Sequence, residues 1–164
     1  CALPISLAVA IALVVGGILM ILIENGFGRG GLNDMEKANL KQAFIIGIAQ
    51  CFALYPGMSR SASTIMGGLI AGLSAKAAAE FSFFLAIPTM IGATVYSLAK
   101  GFMNLSALEW QALGVGFVVS FIVALLAVDK FLSFLGKHSL KPFAYYRIVF
   151  GALMIALIYS GIVR

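Results

Sequence analysis

Four hydroxyls and one guanidinium, Ser59, Arg60, Ser61, Ser63 and Thr64, fall within six residues, directly after a Pro56-Gly57 pair. The flanks carry no charge, from residue 42 to 59 on one side and from 61 to 75 on the other. A guanidinium stays protonated even there, so it must be paired, hydrated or turned to a polar cavity. A helix cap would account for one serine but not for the whole set. The stretch therefore has the make-up of an anion site. Gly57 supplies the break, Arg60 the charge, and Ser59, Ser61 and Thr64 the hydroxyl donors. Any of these hydroxyls could also serve as a nucleophile.

The surroundings of this stretch are those of a bilayer. Of 164 residues, 62% are hydrophobic and 10% are charged, against about 25% charged in globular proteins. A net charge of +5 raises nucleic acid as a partner. The Lys and Arg residues sit in short loops, however, as on the cytoplasmic side of a membrane, so no nucleic-acid partner is expected. The chain is expected to form one membrane domain over 1–164, with no low-complexity linker. It has no initiator Met and enters an apolar segment almost at once, so it reads as the later part of a longer protein. Residues 1–6 are candidates for a non-native start, with Cys-Ala-Leu-Pro-Ile at 1–5 as translated adapter sequence. The pattern of a secretory signal is missing. Cys1 and Cys51 make no disulfide framework, and Cys51, among Phe52, Ala53 and Leu54, is expected as a small buried hydrophobe.

An all-α polytopic fold follows, with about four transmembrane helices and one re-entrant hairpin. The expected spans are residues 7–23, 81–99, 110–128 and about 142–163. Gly16 and Gly17 predict close helix packing, Pro88 a kink, and Trp110 an interfacial anchor. In the polar loop 24–41, Asp34 is the better cap candidate for a helix starting near Met35. Residues 42–55 and 61–72 predict two half-helices separated by Pro56-Gly57. As one helix, residues 42–72 would run about 46 Å, too long for an untilted span. Each half is too short to cross, which leaves a hairpin with its tip near mid-membrane. In the second half, Gly68 and Gly72 make a Gly-xxx-Gly packing pair.

The loop charges favour the same arrangement. If 42–72 returns to its own side, Arg29, Lys37, Lys41, Lys76, Lys130, Lys137 and Lys141 share one face, against Lys100 and Arg164 on the other. A crossing would divide the nine almost evenly, whereas positive charge gathers on the cytoplasmic face. The hairpin is therefore expected to enter from that face. At its tip, the free N–H groups and positive dipole end of the second half-helix would point into the space that Arg60 occupies, a setting that favours phosphate. A transporter or flippase of an anionic polyprenyl phosphate lipid and an enzyme acting on a lipid phosphate both suit such a broken helix.

Residues 56–64 resemble the Pro-Gly-x-Ser-Arg-Ser-x-x-Thr motif of the undecaprenyl-diphosphate phosphatase family, also called bacitracin resistance proteins. The likeness extends to Gln42–Phe44, Gln50–Leu54, Ala79–Phe83, Pro88 and the run Pro142–Arg147. It covers nearly the whole chain after residue 7. The resemblance implies a multi-pass bacterial inner-membrane hydrolase built from two inverted repeats, of which this chain is the second. The reaction would remove the terminal phosphate of undecaprenyl diphosphate, renew the lipid carrier for peptidoglycan synthesis and confer bacitracin resistance. By the same match, Ser59 and Arg60 are the catalytic candidates. Gly57, Ser59, Arg60, Ser61 and Thr64 would bind the phosphate.

One departure from the family is large: the first repeat, with its Glu-rich motif and catalytic His, is absent. Gln50 and Leu54 stand about where that repeat carries its acidic pair, and neither is a base at neutral pH. Gln50 and Glu80 are accessory candidates. Glu80 is expected to pair with Lys76 one turn earlier. Glu109 and Asp129 are expected at helix ends and His138 in a solvated loop. A divalent cation, Mg2+ or Ca2+, is implied by the resemblance, but no residue cluster here has metal-ligand spacing, so its ligands would lie mostly outside this chain. The partners expected are the lipid substrate and the bilayer. A homodimer is left open.

Overall fold

The computed structural model describes residues 3–28, 30–101 and 106–160. Cys1, Ala2, Arg29 and Arg164, which enter the expectations above, lie outside the described residues. Six α-helices carry the fold: α1 Leu3–Phe27, α2 Leu40–Cys51, α3 Arg60–Ile70, α4 Ala75–Gly101, α5 Ala107–Leu135 and α6 Lys141–Tyr159. Four segments, Ser6–Phe27, Ala75–Ser97, Leu108–Leu135 and Lys141–Tyr159, are long and apolar enough to cross a membrane. The chain is an all-α, multi-pass membrane protein.

Several helices outrun the uncharged stretches that announced them. Glu80 lies inside α4 and Asp129 inside α5, because a carboxylate with water or a lysine nearby does not end a helix. Pro88 is likewise interior to α4. Asp34 does cap, accepting from Glu36 N at 3.0 Å, but it caps only the single 3-10 turn Met35–Lys37. Helix α2 starts later, at a capping box in which Asn39 Oδ1 accepts from Gln42 N and Gln42 Oε1 accepts from Asn39 N, both at 2.9 Å. Ser106 and Glu109 form a second box at the start of α5, so Glu109 caps as expected.

The stretch from 40 to 70 folds back on itself. A Cβ added at Gly67 in α3 would run into Ala49 of α2, and Gln42 Nε2 donates to Ala71 O at 3.0 Å. The start of α2 and the end of α3 therefore meet. The neighbouring loops gather at that same end. Leu32 N donates to Gly72 O at 2.8 Å, Ser74 N donates to Leu32 O at 2.9 Å, and Glu24 Oε1 accepts from Leu140 N at 2.8 Å. The core lies where α3 is enclosed, around Ile46, Ile65, Leu69, Leu73 and Ala78. Gly68 faces Ala78, a close approach as expected of a packing glycine. Gly72 does not pack. Its φ of +89° turns the chain out of α3, and a Cβ there would meet nothing within 4 Å.

On the far side of the hairpin, α1 and α6 pack together through glycines. A Cβ at Gly17 would lie 2.7 Å from Ile148 Cγ1 and 2.8 Å from Ala144 O, and one at Gly151 would lie 2.8 Å from Val14 Cγ2. The Gly16-Gly17 expectation is met, with α6 as the partner.

Candidate functional site

Pro56 and Gly57 leave helical geometry because proline lacks an N–H to donate and Gly57 takes φ +88°. The 3-10 turn Phe52–Leu54 closes α2, and Ser59 then caps α3, its Oγ accepting from Ala62 N at 3.3 Å. Ser59 is exposed and Arg60 and Ser61 are half-buried, so three of the five expected ligands stand together at the N-terminus of α3. Of the first N–H groups of α3, that of Ala62 goes to Ser59 Oγ and that of Ser63 to Ser59 O, which leaves those of Arg60 and Ser61 at this end of the helix. The break rests on α1, where a Cβ at Gly57 would lie 2.7 Å from both Cα and O of Val9.

Arg60 is held from one side only. Its Nη1 donates to Ser82 O of α4 at 3.0 Å, and the two ion pairs among the described residues, Lys37–Asp34 and Lys76–Glu80, leave it out. A guanidinium has five N–H donors, so most of its fork is available to a ligand. Behind it, Thr64 is fully enclosed. The Thr64 hydroxyl reaches Arg60 O at 3.1 Å and Ser61 O at 3.0 Å, and lies 2.7 Å from Ser82 Oγ. Thr64 and Ser82 thus brace the first turn of α3 from within. Ser63 is buried too, and its Oγ meets no hydrogen-bond partner.

The accessory candidates lie on the two helices that flank α3 in the chain, α2 and α4. Gln50 is on α2, with Oε1 enclosed and unpartnered. Glu80 is 3.7 Å from Lys76 Nζ, as the i,i+4 spacing predicts, which turns it towards the loop end of α4. His138 is exposed and stacks on Phe134 at 4.5 Å between ring centroids. Cys51, expected inside, is exposed because it sits on the outer face of α2 near the break. It helps line an apolar cleft of about 390 Å³ with Ile11, Val15, Phe52, Tyr55 and Met58, directly beside the tip. Among the described residues no three His, Cys, Asp or Glu side chains come together as a metal ion requires, so the residues present do not fit the implied cation.

The structure adds two residues to the site. Ser82 contributes a backbone carbonyl to Arg60, which any residue type could supply, and a hydroxyl to Thr64, which a serine on an apolar helix could have signalled. Arg147 lies on α6, is 8% exposed, and sends Nη2 to Gly57 O at 3.4 Å and to Ala12 O at 3.5 Å. A cationic residue inside an apolar helix is the signal that could have marked it. Gly16 makes room for it, since a Cβ there would lie 2.5 Å from Arg147 Nη2.

Comparison with known proteins bears on this geometry. Residues 2–153 match the family described as bacitracin resistance protein BacA. A protein from Thermoanaerobacter pseudethanolicus named undecaprenyl-diphosphatase is 64% identical over 157 residues, covering 95% of this chain and 58% of the relative. Proteins of the same name from Caldanaerobacter subterraneus subsp. tengcongensis and Clostridium tetani are 59% and 51% identical, over 95% and 92% of this chain and 58% and 56% of theirs. The chain spans a little over half the length of these relatives.

Proposed function

Since the chain belongs to the bacitracin resistance protein BacA family, we propose that the complete gene product is a membrane phosphatase acting on undecaprenyl diphosphate. It removes the terminal phosphate, leaving undecaprenyl phosphate and inorganic phosphate, and so renews the lipid carrier for cell-wall synthesis in the bacterial inner membrane. The family name and the relatives' printed name support this reading. The observation that carries it is the one-sided hold on Arg60 at the N-terminus of α3, beside the exposed hydroxyl of Ser59.

In this reading the hairpin is re-entrant, with its tip inside the bilayer. Gly57 lies against Val9, and about 15 residues of helix separate Val9 from Glu24 at the loop end, roughly 22 Å at 1.5 Å per residue. Arg60, Ser61 and the first N–H groups of α3 bind the terminal phosphate and spread its charge as the P–O bond breaks. Ser59 either donates to the phosphate or attacks it. Thr64 holds the turn, and the apolar cleft beside Met58 takes the first isoprene units of the lipid. The chain forms one membrane domain and is the second of two inverted repeats. The acid–base groups, and the ligands of any divalent cation, come from outside it.

The deciding experiment measures phosphate release from undecaprenyl diphosphate by the purified complete gene product in detergent or vesicles. Steady release is expected. Movement of the lipid between leaflets without release would favour a flippase instead.

A further inference from the structure

The loop end of the helices holds a polar cleft of about 620 Å³, a size that suits a small ligand. Its walls come from the end of α1, the loop after it, the start of α4 and the turn between α5 and α6. Helix α3, 11 residues or roughly 16 Å long, separates it from Arg60 at the tip. The hydrogen-bonding capacity left open here is mostly that of donors. Ser74 Oγ accepts from Ala77 N at 3.2 Å and Ser139 Oγ accepts from Lys141 N at 3.1 Å, so each hydroxyl keeps its own O–H to give. Lys137 is exposed and enters neither ion pair of the described residues. Lys76 stands 3.7 Å from Glu80, beyond hydrogen-bond reach, so its ammonium keeps its donors. His138 has Nδ1 3.3 Å from Phe134 O, and its Nε2 becomes a further donor only when the ring is protonated. The carboxylate in the wall is Glu24. Its Oε1 accepts from Leu140 N at 2.8 Å and its Oε2 is enclosed without a partner. A cation would find little open carboxylate there, whereas an anion meets ammonium and hydroxyl groups.

We propose that this cleft is a second anion site, which takes a phosphate group at the membrane surface from an anionic phospholipid headgroup or from inorganic phosphate. The proposal does not rest on the phosphatase reading. Lysine binds phosphate as a mobile point charge, and two lysines from distant segments, with a hydroxyl beside each, can close on its oxygens from both sides. The cleft also stands at the right depth. It lies at the ends of α1, α4 and α5, three helices long and apolar enough to cross a membrane, which is the level of phospholipid headgroups. Basic pockets between helices at that level take anionic headgroups. A phosphate held there ties the start of α4 to the turn between α5 and α6.

The test follows thermal unfolding of the complete gene product in a neutral detergent, at fixed pH and ionic strength. The probes are inorganic phosphate, a short-chain phosphatidylglycerol and the matching phosphatidylcholine. A ligand of the folded state raises the midpoint with its concentration, which yields an apparent dissociation constant. Phosphate, phosphatidylglycerol or both should raise it, in the parent and equally in Arg60→Gln, where the tip has lost its charge. Lys137→Gln should weaken the constant about fivefold, the effect of one cation near a membrane surface, and Lys76→Gln with Lys137→Gln about twentyfold. Protection by phosphatidylglycerol alone identifies a lipid headgroup as the source, and protection by inorganic phosphate identifies the free anion. Four results would overturn the proposal. They are no shift from either probe, loss of the shift in Arg60→Gln, a constant that the double variant leaves within about twofold of the parent, and equal shifts from the two lipids with none from phosphate. Release of phosphate from undecaprenyl diphosphate, measured on the same preparation, judges the phosphatase reading separately.

Discussion

The hydroxyls of Thr64 and Ser82 stand 2.7 Å apart, both enclosed, and join α3 to α4 directly behind Arg60. Thr64 can donate to Arg60 O or Ser61 O while it accepts from Ser82, so removing Thr64 Oγ1 strands the Ser82 hydroxyl, whereas removing Ser82 Oγ leaves Thr64 its carbonyls. Thr64→Val should destabilise the protein by about 1–3 kcal/mol, and Ser82→Ala by less. The double variant should lose clearly less than the sum of the two, since the second change removes the stranded partner. Thermal unfolding in a fixed detergent reads all three, and strict additivity would show that the pair does not act as a unit.

Arg60→Lys should largely abolish phosphate release. A lysine keeps the charge but not the planar fork that can hold Ser82 O and a phosphate at once. Ser59→Ala separates two roles. A fall of about 10- to 1000-fold marks a transition-state donor, whereas complete loss is compatible with a nucleophile. Near-normal rates for Arg60→Lys would remove it from the site.

Gly57→Ala tests the break itself. A φ of +88° is strained for alanine by about 1–3 kcal/mol. The new Cβ would also press on the α1 backbone, 2.7 Å from Val9 Cα and O. The tip must then shift away from α1, and a misplacement of about 1 Å in a catalytic group costs on the order of a hundredfold in rate. Phosphate release, normalised to the monodisperse fraction on size-exclusion chromatography, is the measurement. Turnover within about twofold of the parent would show that the tip is not held by α1.

Gly67→Ala should loosen the hairpin, because its Cβ overlaps Ala49 of the facing half-helix. The cost expected is about 1–3 kcal/mol from overpacking. Adding Ala49→Gly removes the obstructing methyl and should restore most of the melting temperature. If the second change lowers it further, α2 and α3 do not meet at this point.

Local pattern made much of this protein legible. Uncharged runs set the four long helices, since a segment without charges can cross a bilayer wherever it falls in the fold. Pro56-Gly57 marked the break because proline removes a donor and glycine admits φ +88°, both properties of single residues. The crowd of hydroxyls round Arg60 marked the proposed anion site for the same reason. Helix ends were less legible. Asp34 and Asn39 are both good caps by type, yet Asp34 starts a single 3-10 turn and Asn39 starts α2.

What the tertiary structure alone decided lies between elements. The acceptor for Arg60 is a main-chain carbonyl of Ser82, and a main-chain carbonyl looks the same at every position of a sequence. Thr64 stands enclosed behind the turn, because its side of α3 faces α4. Arg147 comes to the break from 90 residues away, through a gap at Gly16 that exists only once α1 and α6 have packed. The sequence by itself determined the chemistry of residues 56–64 and the membrane that surrounds them, since both depend on residue type and local spacing. Which groups hold that stretch in place depends on contacts between distant helices, and those follow from packing, which no local pattern encodes.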